Sequence, residues 1–469
     1  MPILELRILP PVAIGRLGGG DRPLDAFELQ TDPDNPLDYR RIVPCPTLEV
    51  DPVSGQIVRA FVPESIRFKD AHHKIRPVAP FLEVYARTSD APDDLQPLTT
   101  TLLAREGLSL EQLHWDIELS NIKLFRRTGA LDDQIHAKLL GLKGHARRQM
   151  LGECANFLPG RKLPLGHVQF IAPTADFPEI RLRYTPAAGL VYGSRTERYE
   201  VDQNGQPQLK KDPIIHSDAQ VLYDPSKPWL GYWEDLGPEL TAPASIYAGY
   251  QNSDQNQVSW GYLDDECDGS AKVVLTLADG SQLAARAVIG AGPPAFAPDT
   301  LPIRVVSDEI EQLLDGTEVR EDEVSLDDAT ALVLRALESV RLMNTAVMNG
   351  NPVNGRLNVA STMVRQNTND FNRYYEPIAA ATLVDNLALR ALHERVFSAL
   401  AGGGAPWFAQ ALRQPEEIGD LSSVALRKMP ALMRGADGRG LVLTRRQIDI
   451  VVKAARNAMF ANPTAPGEP

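Results

Sequence analysis

Hydrophobic and polar residues alternate in several short runs through the first part of the chain. The clearest runs cover residues 4–8 (LELRI), 81–85 (FLEVY) and 180–184 (IRLRY). Successive side chains of a strand point to opposite faces, so a period of two indicates a strand with one buried face. We therefore predict a β-rich region over about the first 300 residues.

Two further patterns refine this region. Residues 273–277 (VVLTL) and 282–289 (QLAARAVI) flank an Asp-Gly turn. Asp-Gly favours the backbone conformation that a tight hairpin needs, so we predict a β-hairpin here. Residues 132–144 and 146–154 are predicted to form two short helices.

The pattern changes to a helical period after Ser325. This residue precedes two acids in the first turn of a predicted helix, whose apolar stripe continues to Met343. A second helix is predicted over residues 383–400, and a third begins at Thr444, where Gln447 completes a capping box. The sequence therefore predicts an α+β protein, with a β-rich N-terminal region followed by a mainly helical C-terminal region.

Composition divides the chain further. We predict a β-rich scaffold over residues 1–305, an acidic linker over 306–328, a helical domain over 329–460 and a disordered tail over 461–469. The linker contains ten acidic residues and one basic residue, whereas residues 427–456 contain eight basic residues and two acidic ones. We expect these two oppositely charged segments to contact each other within the chain.

The overall charge narrows the range of partners. The chain has 469 residues and a formal net charge of −13, which repels phosphate groups. We therefore expect no binding to nucleic acid and no docking to a membrane. Its three cysteines form no CxxC pair, which fits a reducing compartment. The sequence has neither a signal-peptide pattern nor a run of about 18 apolar residues, so we expect a cytoplasmic location.

Common nucleotide, metal and hydrolase motifs are absent from the sequence. Residues 12–20 (VAIGRLGGG) do not match GxGxxG and indicate a strand that runs into a glycine turn. The eight histidines form no metal-site signature, and no G-x-S-x-G nucleophile elbow occurs. We therefore predict no metal site.

Four sequence blocks occur in a fixed order within residues 10–300. They are residues 11–19 (PVAIGRLGG), 67–85 (RFKDAHHKIRPVAPFLEVY), 114–123 (HWDIELSNIK), and 262–269 (YLDDECDG) together with 288–298 (VIGAGPPAFAP). In this order they resemble the N-terminal region of the quinocofactor amino-acid oxidases, the family of lysine ε-oxidase and glycine oxidase. The resemblance implies a β-rich scaffold and oxidation of a primary amine or amino acid.

The resemblance also implies a cofactor and a partner. The family carries cysteine tryptophylquinone, which is built from a Cys cross-linked to an oxidised Trp of the same chain and matured by a separate flavoprotein. In the family both residues follow the matched region, but beyond residue 300 this chain has Trp407 and no cysteine. What remains is Cys45, Cys154 or Cys267 together with one of the five tryptophans, Trp115, Trp229, Trp233, Trp260 and Trp407. Among these the candidates for forming a cofactor are Cys267 and Trp260, which are seven residues apart. The residues present do not support the quinone, so the cofactor stays unknown and no catalytic residue is assigned.

A polar segment, residues 343–376, offers a candidate ligand site. It contains eight asparagines, and buried amides need hydrogen-bond partners, so the segment is either a turn-rich surface loop or a polar pocket. The candidate ligand-binding residues are Arg365 and Arg373 for a carboxylate, Asp370 and Glu376 for an amine, and Tyr374 and Tyr375 as walls.

Two functional hypotheses follow. In the first, the chain is a divergent amine- or amino-acid-oxidase-like oxidoreductase without a self-made tryptophylquinone. In the second, it is a non-catalytic descendant of that scaffold that binds a ligand or another protein. The expected partner is a small amine or amino acid, while a partner protein and a homo-oligomer stay open.

Overall fold

The structure is a computed structural model. It describes residues 2–30, 41–125, 129–202, 204, 206–223, 249–251, 257–259, 261–294, 303–338, 395–418, 420, 428–430 and 442–461. The chain divides into two compact units: unit 1 is Met1–Leu29 with Ile42–Phe296, and unit 2 is Gln30–Arg41 with Ala297–Pro469. The predicted α+β class is confirmed, because the described strands lie mostly in unit 1 and the described helices mainly in unit 2.

The strands are short and numerous. They are β1 (Ile3–Leu9), β2 (Val12–Arg16), β3 (Phe27–Gln30), β4 (Arg41–Pro44), β5 (Thr47–Val50), β6 (Ile57–Phe61), β7 (Phe81–Thr88), β8 (Ala91–Pro97), β9 (Leu113–Asn121), β10 (Ile135–Leu142), β11 (Arg148–Gly152), β12 (Leu163–Phe170), β13 (Arg181–Thr185), β14 (Val191–Tyr192), β15 (Glu197–Val201), β16 (Pro207–Lys211), β17 (Gly249–Gln251), β18 (Gln257–Ser259), β19 (Leu263–Asp264), β20 (Cys267–Thr276) and β21 (Gln282–Gly292). The helices are α1 (Thr100–Arg105), α2 (Val306–Asp315), α3 (Leu326–Glu338), α4 (residues 395–401), α5 (Ala405–Ala411) and α6 (Arg445–Ala461).

Two large sheets form most of unit 1, beside several two-stranded ones. One has six strands in the order β1-β7-β13-β12-β11, with β8 paired to β7. The other has five strands in the order β10-β9-β20-β21-β2, in which only the pairing of β2 with β21 is parallel. The inward side chains of both sheets share one hydrophobic core, which includes Leu82, Leu182, Trp115 and Ile289. Burying a large apolar side chain stabilises a fold by ~1.5–3 kcal/mol, so this core holds the two sheets together.

The four sequence blocks that resemble the oxidases lie next to one another in unit 1. The first block contains β2, the third contains most of β9, and the fourth contains the start of β20 and the end of β21. The second block joins them where Arg16 and Val78 exchange backbone hydrogen bonds of 3.0 and 3.1 Å. The resemblance therefore covers residues that build one continuous part of unit 1.

Two glycines of these blocks lie where no side chain fits. A Cβ at Gly18 would be 2.6 Å from the carbonyl oxygen of Ile75. A Cβ at Gly269 would be 2.8 Å from Cα of Leu119 and closer still to the carbonyl oxygen of Glu118. Because these atoms belong to backbone, they cannot rotate away. These glycines allow neighbouring segments to approach closely.

The two helices predicted at residues 132–144 and 146–154 are wrong. The structure has β10 and β11 there, with Leu139 opposite Ile117 of β9 and Arg148 opposite Val168 of β12. Helix propensity differs by only ~0.7 kcal/mol among ordinary residues, so pairing with existing strands overrides it. The predicted hairpin is confirmed, because β20 and β21 pair around Gly280, whose φ is 84°.

Helix starts in unit 2 follow the sequence closely. The N–H of Gln447 donates to Oγ1 of Thr444 at 3.2 Å, and Oε1 of Gln447 accepts the N–H of Thr444 at 2.9 Å. This is the reciprocal capping box predicted at the start of α6. The N–H of Asp328 likewise donates to Oγ of Ser325 at 3.0 Å, at the start of α3.

The acidic segment and the basic segment contact each other, as predicted. The segment assigned to a linker carries α2, followed by a short 3-10 turn. Nε of Arg446 on α6 lies 3.0 Å from a carboxylate oxygen of Glu311 on α2, and its Nη1 donates to the carbonyl oxygen of Glu318 at 3.1 Å. Arg456 pairs with Glu321. Opposite charges therefore join α6 to the acidic segment.

No helix among the described residues is long and apolar enough to cross a membrane.

Candidate functional site

A group of titratable side chains lies in the core of unit 1, at the fourth sequence block. Cys267 begins β20 and is 4 % exposed, while Tyr184 of β13 is fully buried. The hydroxyl of Tyr184 lies 3.0 Å from Sγ of Cys267 and 3.0 Å from the carbonyl oxygen of Leu165. Burial raises the pKa of the Cys267 thiol to about 12 and the pKa of Tyr184 well above its usual value. This thiol is therefore neutral and inert near pH 7.

Asp265 is the other buried group at this place. Its Oδ2 accepts the backbone N–H groups of Gly189 and Leu190 at 3.1 and 3.0 Å. Its Oδ1 is buried and has no hydrogen-bond partner among the described residues. Burial raises the pKa of Asp265 to about 7, and the neighbouring charge of Asp264 adds to the rise. A carboxyl group with this pKa can gain or lose a proton near neutral pH, as a general base must.

Neighbouring groups complete the cluster. Tyr192 is 5 % exposed, and its pKa is raised by burial and by the charge of Asp265. Closer to the surface, Nζ of Lys123 lies 2.5 Å from Oδ2 of Asp264 and also pairs with Glu266. The acids on either side of Asp265 therefore share a cation, whereas Asp265 is held by backbone N–H groups.

The described residues do not fit a tryptophylquinone. No disulfide joins the three cysteines. Sγ of Cys154 donates to the carbonyl oxygen of Asp132 at 3.1 Å, and Sγ of Cys45 donates to that of Val43 at 3.6 Å. The sulphur of Cys267 faces a phenol, and a thioether to an indole requires the sulphur to lie at the indole ring.

The described tryptophans lie in other surroundings. Trp115 is fully buried in the core and packs edge-on against Phe170, with ring centroids 6.5 Å apart. Trp407 lies in unit 2, where it packs against Phe408 with ring centroids 4.8 Å apart. Trp260, the predicted partner of Cys267, lies outside the described residues.

The predicted ligand-binding residues also lie outside the described part of the chain. They are Arg365, Asp370, Arg373, Tyr374, Tyr375 and Glu376. The assignment of a carboxylate and amine site to these residues stays a prediction.

Unit 2 contains a cavity of about 660 Å³ between the acidic segment and α6. Six acidic and three arginine side chains line it. Several of these charges already pair with one another: Arg335 with Asp308 at 3.0 Å, and Arg446 with Glu311 at 3.0 Å. Ion pairs within unit 2 therefore account for much of the charged lining of this cavity.

The sequence pointed to Cys267 but not to its surroundings. Tyr184 precedes it by 83 residues and Gly189 precedes Asp265 by 76 residues. A paired Asp-Asp and a nearby Cys were visible in the fourth block, yet their burial depends on the packing of β13 against β20. No signal in the sequence alone identifies which of the two aspartates is buried.

Comparisons with known proteins give a distant similarity. No family model matches the chain, and no curated protein matches it. A crystal structure of the L-Lys ε-oxidase from Marinomonas mediterranea is 13 % identical, with a TM-score of 0.45, over 96 % of this chain and 60 % of that one. A second structure of that organism's ε-lysine oxidase is 12 % identical, with a TM-score of 0.46, over 97 % of this chain and 61 % of that one. This chain therefore spans about 60 % of the length of the solved structures that it matches.

Proposed function

We propose that this chain binds a primary amine or amino acid on an oxidase-like scaffold and carries no tryptophylquinone of its own making. The support for the scaffold is the ordered set of four sequence blocks, which come together in unit 1. Two observations carry the proposal against a self-made quinone: no cysteine occurs beyond residue 300, and Sγ of Cys267 lies 3.0 Å from the hydroxyl of Tyr184.

The ligand class rests on the family resemblance and on the residue types of the polar segment. A guanidinium can bind a carboxylate through two parallel hydrogen bonds, and a carboxylate can bind an ammonium group. Arg373 and Glu376 would supply these two groups for an amino acid. This assignment is part of the proposal.

Calorimetric titration with a panel of primary amines and amino acids tests the binding. We expect at least one member to bind saturably, and we expect Arg373→Gln and Glu376→Gln to weaken it. Arg7→Gln, on the exposed surface of β1, is the matched control. If no member of the panel binds, the proposed function is wrong. If a ligand binds equally to all variants, the function holds and the assignment to the polar segment is wrong.

A second candidate is an oxidoreductase that acts on the same amine or amino acid, with a redox centre that is changed or supplied by another protein. The four sequence blocks favour it, because the family that they resemble oxidises primary amines and amino acids. Peroxide release with the amine panel would support this candidate. A colourless protein with the intact mass of the encoded chain and no peroxide release would leave the binding role.

A further inference from the structure

Two neighbouring arginines on β13 point to the same face of the six-stranded sheet but differ in their partners. Nε of Arg181 lies 2.6 Å from Glu83, and its Nη2 lies 3.3 Å from Glu179. The guanidinium carbon of Arg183 instead lies 4.8 Å from the centre of the Phe81 ring. Nε of Arg183 is buried and has no hydrogen-bond partner among the described residues.

Two other basic residues lie near Arg183: His167, by the register of the strands, and Arg147, whose charge acts on the pKa of Arg183. Arg183 pairs in register with Gln169, and Thr185 pairs with His167, so His167 lies diagonally opposite Arg183 on the same face. Burial, together with the charges of Arg147 and Arg183, lowers the pKa of His167 to about 3, so its ring is neutral. Burial, together with the charge of Arg147, lowers the pKa of Arg183 to about 10.

Among the described residues, the polar groups around Arg183 already have other partners, and Glu83, on the same face of β7, pairs with Arg181 at 2.6 Å. Nε2 of Gln169 donates to the carbonyl oxygens of Asp51 and His145, each at 3.0 Å. The Asp51 carboxylate accepts the N–H groups of Val53 and Ser54, at 3.0 and 2.6 Å, and so caps its own turn. A partly desolvated guanidinium beside a second one is costly unless an anion compensates both charges.

We propose that Arg147, His167 and Arg183 form a binding site for a small oxyanion, a carboxylate or a phosphate, on the face of the six-stranded sheet that points away from the core. The Phe81 ring lies over one face of the Arg183 guanidinium. A guanidinium donates to an oxyanion in its own plane, through up to two parallel hydrogen bonds. Arg147 is exposed and adds a second cation, while the neutral His167 can donate one hydrogen bond. The proposal is independent of the proposed function, since none of these residues belongs to the polar segment.

Calorimetric titration at low ionic strength, with inorganic phosphate and acetate as probes, tests the site. We expect saturable binding to the full chain, and the stronger of the two probes identifies the class of anion. Arg183→Gln should weaken binding by about tenfold or more, because a hydrogen bond to a charged group contributes ~1.5–3 kcal/mol. Arg87→Gln is the control, since Arg87 lies on the same sheet but pairs with Glu5 at 3.3 Å.

A second readout distinguishes binding from a structural role. A bound anion offsets the charges of both arginines, so saturating phosphate should raise the pKa of His167, measured by NMR, in the native chain but not in Arg183→Gln. Phosphate should also raise the melting temperature of the native chain only. If Arg183→Gln does not fold, the exposed Arg147→Gln replaces it in every measurement. Absence of saturable binding, or equal binding by the variant, overturns the proposal.

Discussion

Replacing Asp265 with asparagine measures how much an ionised carboxylate in the core of unit 1 lowers the free energy of unfolding. Burial raises the pKa of Asp265 from its ordinary value of 3.8 to about 7, while the N–H of Leu190 opposes the rise. Asparagine keeps an oxygen that can accept the N–H groups of Gly189 and Leu190, but it carries no charge. The substitution therefore removes the titration and leaves the hydrogen bonds.

The sign of the effect follows from the two states of the carboxyl group. Its pKa is higher in the folded chain, so the native protein keeps a proton that the unfolded chain has lost. The stability linked to this proton is fully present below about pH 4 and is lost as the pH rises through about 7. At ~1.4 kcal/mol per pH unit, the total loss is about 4 kcal/mol, of which about 2.5 kcal/mol falls between about pH 5 and pH 8.

Urea unfolding of the native chain and of Asp265→Asn, across about pH 5 to 8, tests this value. The free energy of unfolding of the variant should gain about 2.5 kcal/mol relative to the native chain over that range. Asp94→Asn, on an exposed stretch of β8, is the matched control for the loss of one carboxylate. A constant difference between Asp265→Asn and the native chain would refute the reasoning, because it would mean that Asp265 is ionised at the same pH in both states.

Three further predictions concern packing, capping and thiol chemistry. Gly269→Ala should lower the free energy of unfolding by about 1–3 kcal/mol or more, because the new Cβ meets the backbone of β9. Gly144→Ala should be near neutral, because its Cβ meets no atom within 4 Å. Urea unfolding compares the two variants. Thr444→Ala should cost about 1 kcal/mol by removing the N-cap of α6, and an unchanged melting temperature would contradict this. In the native protein, iodoacetamide should modify Cys267 far more slowly than Cys45, since Cys267 is buried and its pKa is raised to about 12. Peptide mass spectrometry measures both rates. Equal rates would show that Cys267 is accessible.

Local patterns in the sequence were enough to predict several elements. The β20–β21 hairpin follows from alternation around an Asp-Gly turn, and the start of α6 follows from Thr444 and Gln447. Each of these features depends on residues within about ten positions of one another, so the chain encodes it without tertiary contacts. The contact between the acidic segment and α6 was also predictable, because opposite net charge is visible in composition.

The tertiary structure decided the identity of β10 and β11 and the chemistry of the buried groups. Residues 135–142 form a strand because they pair with β9. No local pattern in the sequence indicates this pairing. The pKa of Asp265 depends on how β13 and β20 pack, and the burial of Arg183 over Phe81 depends on which residues face it across the sheet. Burial and electrostatic environment arise from contacts between residues that are distant in sequence, whereas periodicity and capping are properties of neighbours along the chain.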